Sequence, residues 1–167
     1  MDTPFAIDAA LLDVDGSCRD MNFDRATWPG VRSLIDRARR EFGDVRVGFT
    51  SHGTDEVQVA DVEVALDLVE QRGGCVQLLL NHGSSVLRHL QIFASSAPGE
   101  PLFVELSFFP QDVLPQVDPH VPFGAWADSV SNVLGATRYF VRYENASWTF
   151  GDVGAGSGVF LVRAPGS

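Results

Sequence analysis

An apolar run near the start of the chain ends in Asp13-Val14-Asp15-Gly16-Ser17. Two carboxylates two residues apart at the end of a strand point into one cleft, the first placed as a nucleophile and the second as a general acid. The same letters also spell a strand, an Asp-Gly hairpin turn and a second strand. Choosing between the two decides whether the chain is an enzyme or a binding protein.

Other candidate chemistry is thinner. His52, His82, His89 and His120 are scattered and lack metal-ligand spacing, and each reads as an ordinary surface or core histidine. Cys18 and Cys75 make neither a disulfide framework nor a metal motif. The glycine-rich run from Gly151 to Gly158 is followed by a strand and by no Lys-Ser/Thr, so it fails as a phosphate loop and reads as a hairpin connection. No metal and no cofactor is expected.

The elements that must position these residues are legible from periodicity and punctuation. Residues 5–14 and Cys18–Phe23 suit a hairpin across Asp15-Gly16. A first helix follows, capped by Thr27, with Pro29 in its first turn, Trp28, Val31, Ile35 and Ala38 on one face, and Gly43 at its end. Arg32, Asp36 and Arg40 share its other face and should support one another. Val45–Thr50 reads as a strand, and a second helix runs from near Asp61 to Arg72, stopped by Gly73-Gly74. Cys75 to Phe109 carries three strands in succession, then a loop over 110–122 holds four prolines. A third helix turns Phe123, Trp126, Ala127, Val130, Val133 and Leu134 inward and ends at Gly135. "TRYFVRYE" and "GVFLVRA" close the chain as two strands. Strands following strands predict an α+β fold: one domain over residues 1–167, a largely antiparallel sheet made of an N-terminal hairpin, a three-strand meander and a C-terminal hairpin, and about three helices.

Charge is the stronger signal. All 12 basic residues are arginine, and against 22 acids they leave a net charge of -10. That excludes a nucleic-acid binder, which needs basic stripes, and favours a cationic partner. No apolar run is long enough to span a bilayer, and the first residues carry no secretion signal, so a cytoplasmic protein is expected. Between Arg46 and Arg72 stand Asp55, Glu56, Asp61, Glu63, Asp67 and Glu70 with no base among them. Between Arg88 and Arg138 stand Glu100, Glu105, Asp112, Asp118 and Asp128, again with none. One reading is a solvated helix face, with Asp61 and Glu63 serving the helix N-terminus. The other is an electrostatic docking face for a basic protein. On that second reading the binding residues are Asp55, Glu56, Asp61, Glu63, Asp67, Glu70, Asp112 and Asp118, with Phe108, Phe109, Trp148 and Phe150 supplying aromatic contacts.

Two resemblances bear on function. The Asp13-x-Asp15 loop resembles that of haloacid-dehalogenase-type phosphatases, which implies a magnesium-dependent hydrolase with Thr50, after Val45-Arg46-Val47-Gly48-Phe49, holding the phosphate and Gly151-Asp152 standing at the magnesium site. Those enzymes usually neutralise phosphate with a lysine, absent here, and are built on a parallel doubly wound sheet. The segment "GSCRDMNF" followed by Trp28, then an acidic helix, "FFP", an Asp-Pro loop, a helix and "VRYEN", resembles bacterial immunity proteins of contact-dependent growth inhibition and related polymorphic-toxin systems. That resemblance implies a non-enzymatic, cytoplasmic inhibitor that binds the toxic C-terminal domain of a cognate toxin, often a basic nuclease, and blocks its active site or substrate surface. It is the preferred reading, with the phosphatase second and an adaptor subunit third.

Overall fold

The computed structural model describes residues 9–115, 120–144 and 148–165. Its strands are β1 (Arg19–Asp24), β2 (Phe42–His52), β3 (Asp55–Val57), β4 (Gly74–Gly83), β5 (Leu90–Ser96), β6 (Phe103–Phe108), β7 (Arg138–Tyr143) and β8 (Val159–Arg163). The helices are α1 (Trp28–Glu41), α2 (Val62–Arg72) and α3 (His120–Leu134), with a 3-10 turn at Pro110–Asp112. All eight strands form one sheet in the order β3-β2-β4-β5-β6-β1-β7-β8. Every pairing is antiparallel. The α+β architecture, the β4-β5-β6 meander and the β7-β8 hairpin are therefore as the sequence predicts.

Local chemistry sets the helix ends. Thr27 Oγ1 accepts from Gly30 N at 3.1 Å and opens α1, while Asp61 caps α2 through Val64 N at 3.0 Å. Gly73, at φ 75°, closes α2 in a conformation that favours glycine. The helices bury Val31, Leu34, Ile35 and Ala38 of α1, Val62, Ala65, Leu66 and Val69 of α2, and Phe123, Trp126, Ala127, Val130 and Leu134 of α3. These meet one face of the sheet, formed by alternate strand residues such as Met21, Phe23, Leu78, Ile92, Leu106 and Val141. Each fully buried aliphatic side chain there contributes about 1.5–3 kcal/mol.

Among the described residues the N-terminal hairpin does not form, and positions 5–8 of its expected first strand lie outside them. Residues 9–12 are helical and 13–18 are a loop, while β1 is a central strand between β6 and β7. Gly16 does turn the chain, at φ 86°, but the turn wraps a side chain and joins no strands. That side chain is Arg19, fully buried. Its Nε donates to Ala10 O at 2.5 Å, Nη2 to Asp13 O at 2.7 Å, and Nη1 to Ser17 Oγ at 2.9 Å and Asp15 Oδ1 at 3.3 Å. Its guanidinium lies 4.2 Å from the centre of the Tyr143 ring. A buried guanidinium must have its donors satisfied, so the loop folds around it and gives up strand pairing. Gly43 likewise does not end α1, since β2 begins at Phe42.

Candidate protein-interaction surface

Among the described residues the second sheet face carries no helix. Two rows of side chains cross it, fixed by register. One row runs Arg46, Leu79, Gln91, Ser107, Asp20, Arg142, and its neighbour runs Gln77, Phe93, Glu105, Asn22, Phe140, Val162. Alternation puts polar residues of β1 and β6 on this face and their apolar neighbours in the core.

The β6-β1-β7 part of the face holds a buried polar cluster. Ser107 Oγ donates to Asp20 Oδ1 at 2.6 Å, and Arg142 Nη2 stands 3.1 Å from both Asp20 Oδ2 and Glu105 Oε2. Asn22 bridges the set, donating to Glu105 at 2.7 Å and accepting from Arg142 Nε at 2.9 Å. Burial and the Glu105 charge push the Asp20 carboxyl up to about 6, against the pull of Ser107 and Arg142. Trp148 covers the cluster, with the Arg142 guanidinium 4.6 Å from its ring centre, and packs with Phe140 and Phe150. Sequence reading missed Asp20, Asn22, Glu105, Ser107 and Arg142 as a group, although the polar-apolar alternation of Asp20-Met21-Asn22-Phe23 was a visible sign.

At the β4-β5-β6 end of the same face a pocket of about 260 Å³ opens beside the 3-10 turn. Phe109 and Asp112, both expected to bind a partner, line it with Leu79, Asn81, His89 and Gln91.

The other expected binding residues are dispersed. Asp55 and Glu56 are exposed on the edge strand β3, and Asp61 caps α2. Glu63, Asp67 and Glu70 do share a face of α2, yet they are not without a base. Arg32 of α1 reaches all three, at 3.2, 2.8 and 2.5 Å, and Arg39 also reaches Glu63, at 3.0 Å. Counting charges along the chain missed a neutralising helix packed alongside, and Arg32 pairs across to α2 where Asp36 on its own helix was expected. Phe108 is a correction: only 2% exposed, it packs its ring on Phe123 in the core and presents no aromatic surface outward. Phe150 is 43% exposed and Trp148 half-buried. Asp118 lies outside the described residues.

The phosphatase arrangement is not assembled. Asp15 Oδ1 is occupied by Ser17 N at 2.9 Å and Ser17 Oγ at 2.8 Å, contacts that hold its carboxyl down at about 2. Thr50 is buried on β2, four strand positions from β1, hence about 19 Å away at normal strand spacing. Asp152 Oδ1 accepts from Gly154 N at 2.8 Å in a tight turn. The antiparallel sheet also differs from the parallel frame those enzymes use.

No helix among the described residues is long and apolar enough to cross a membrane. No protein-family model matches the chain. No curated protein matches its sequence. Among solved structures, the chain is similar to one chain in the crystal structure of the toxic C-terminal tip of CdiA from Pseudomonas aeruginosa in complex with immune protein. The match has a TM-score of 0.58 at 13% identity and covers 87% of this chain and 94% of that one. The two chains share a fold over nearly their whole lengths.

Proposed function

We propose that this chain is an immunity protein, which binds and neutralises the toxic C-terminal domain of a cognate contact-dependent toxin by covering its active site or substrate surface. The observation that carries the reading is the near full-length fold match to a chain from a toxin–immune protein complex. The net charge of -10 makes this chain the acidic member of such a pair and suits a basic toxin, such as a nuclease. The helix-free sheet face, with its aromatic cluster and pocket, offers a fixed surface for one partner. The protein acts by stoichiometric binding and turns over no substrate.

The test is co-expression in a bacterial host with the C-terminal domain of the large secreted protein expected from the adjacent upstream gene. Restored growth and a 1:1 complex on size exclusion support the reading. Growth arrest caused by this chain alone would make it the toxic member and overturn it.

A further inference from the structure

We infer that the pocket at the end of β4, β5 and β6 receives one cationic side chain of the bound protein, with arginine preferred over lysine. The inference rests on the immunity reading for the identity of the partner, but the pocket's chemistry stands on its own residues.

The fold uses one device repeatedly: an aromatic ring and a carboxylate together hold a guanidinium. Arg19 lies over Tyr143 and pairs with Asp15. Arg138 lies over Phe140, 4.9 Å from its centre, and pairs with Asp24. Arg142 lies against Trp148 and pairs with Asp20 and Glu105. Phe109 and Asp112, an aromatic and an acidic residue, line one pocket together, and among the described residues no arginine lines it. The Asp112 carboxylate has no ion pair or side-chain hydrogen bond among the described residues.

The pocket walls are set in advance. Asp112 N donates to Phe109 O at 2.9 Å, and Arg88 N donates to Asp112 O at 2.8 Å, so the turn that carries the carboxylate is pinned on both sides. Asn81 donates to Asp44 Oδ2 at 3.1 Å and takes the Nδ1 proton of His89 on its Oδ1 at 3.1 Å. That contact fixes the orientation of the imidazole. Gln91 is held by Gln77 at 2.8 Å. The apolar lining from Leu79 suits the methylene stem of an arginine or lysine, and the carboxylate suits its head. A planar guanidinium can also stack on Phe109 while forking to Asp112, which an ammonium cannot do. A volume of about 260 Å³ admits one side chain and leaves no room for a folded segment.

Two measurements test this. The first is an amide NMR titration of the full chain with N-acetyl-arginine N-methylamide, beside its neutral isostere N-acetyl-citrulline N-methylamide. Expected are shifts at the Asn81 and Gln91 side-chain amides and the Asp112 backbone, saturating in the millimolar range. The citrulline compound should bind at least ~10-fold more weakly, and Asp112→Asn should remove the response. No shifts, equal response to citrulline, or shifts that persist in Asp112→Asn would overturn the inference. The second measurement is affinity for the toxin domain, expected to fall at least ~10-fold in Asp112→Asn and in Phe109→Ala, with unchanged melting temperature in Asp112→Asn. Unchanged affinity in both variants overturns the pocket and leaves the immunity reading intact. A wild-type chain that ignores the toxin domain overturns the immunity reading, and the titration still decides the pocket.

Discussion

Arg142 and Asp20 face each other across adjacent strands, Nη2 3.1 Å from Oδ2, with side chains each only 7% exposed. The pair is close, yet the Asp20 carboxyl is raised to about 6, because burial opposes its charge and Glu105 competes for the same guanidinium. Between its ordinary value near 3.8 and about 6 the folded chain holds a proton that the unfolded chain has released. Stability from this group is therefore present below pH ~4 and is lost as pH rises through ~6. Asp20→Asn should flatten that dependence: its melting temperature relative to wild type should climb between pH 4 and 7. The change is on the order of 1–2 kcal/mol, or about 2–8 °C, after discounting for the solvent that still reaches the carboxyl. Parallel melting curves across that range would count against the shared-guanidinium account.

Arg19 gathers the segment before β1 through bonds to Ala10, Asp13, Asp15 and Ser17. Arg19→Met should cost about 1–3 kcal/mol in urea denaturation, since it orphans the buried Ala10 carbonyl and releases the part-buried bonds to Asp13 and Ser17. Arg19→Lys should recover little of it, because one ammonium cannot point in so many directions. Hydrogen exchange should quicken first in residues 9–18; an increase spread evenly over the sheet would refute the anchoring role.

Arg32 links α1 to three acids of α2. These groups are part-exposed, so Arg32→Gln should lower stability by only about 1 kcal/mol, with the difference shrinking in 1 M salt. The same variant also unmasks negative charge. If the α2 face steers a basic toxin, stopped-flow association should be faster in Arg32→Gln and slower when Glu63, Asp67 and Glu70 all become Gln. Equal rates in all three proteins would remove α2 from the docking path.

Gly30 stands where α1 meets the end of α3, and a Cβ there would lie 2.5 Å from the Leu134 carbonyl oxygen. Alanine at a helical position is ordinarily worth about 1 kcal/mol over glycine. Here Gly30→Ala should instead destabilise by about 1–3 kcal/mol, because the obstacle is backbone. A gain in stability on denaturation would show that the two helices have room to part.

How far the sequence could be read follows from the range of each interaction. The first two helices are legible because Thr27, Asp61 and Gly73 mark their ends and the apolar spacing lies within each segment. The placement of β1 is not, since its partners lie 83 and 120 residues away in Glu105 and Arg142. Arg19 was beyond reach for another reason: arginine is usually exposed, and its burial depends on acceptors from a loop with no pattern of its own. The Phe108-Phe109 pair shows what strand geometry alone could have supplied. Phe108 ends β6 with its ring in the core, and Phe109, one residue on in extended backbone, lines the pocket on the other face. The neutralised acids of α2 illustrate the reverse limit, because sequence intervals do not record which helix lies alongside.

The central position of β1 also sets a timetable for synthesis. Its residues are made early, but both strands that flank it are encoded far downstream. At roughly 5–20 residues per second, the 120 residues separating Asn22 from Arg142 take about 6–24 s to translate. Over that interval β2, β4, β5 and β6 can assemble as a partial sheet, and β6 closes one edge of β1 after 83 residues while the other edge stays open until β7 is made. The nascent chain thus carries a half-paired central strand until β7 emerges from the ribosome, and the sheet is complete only when β8 follows.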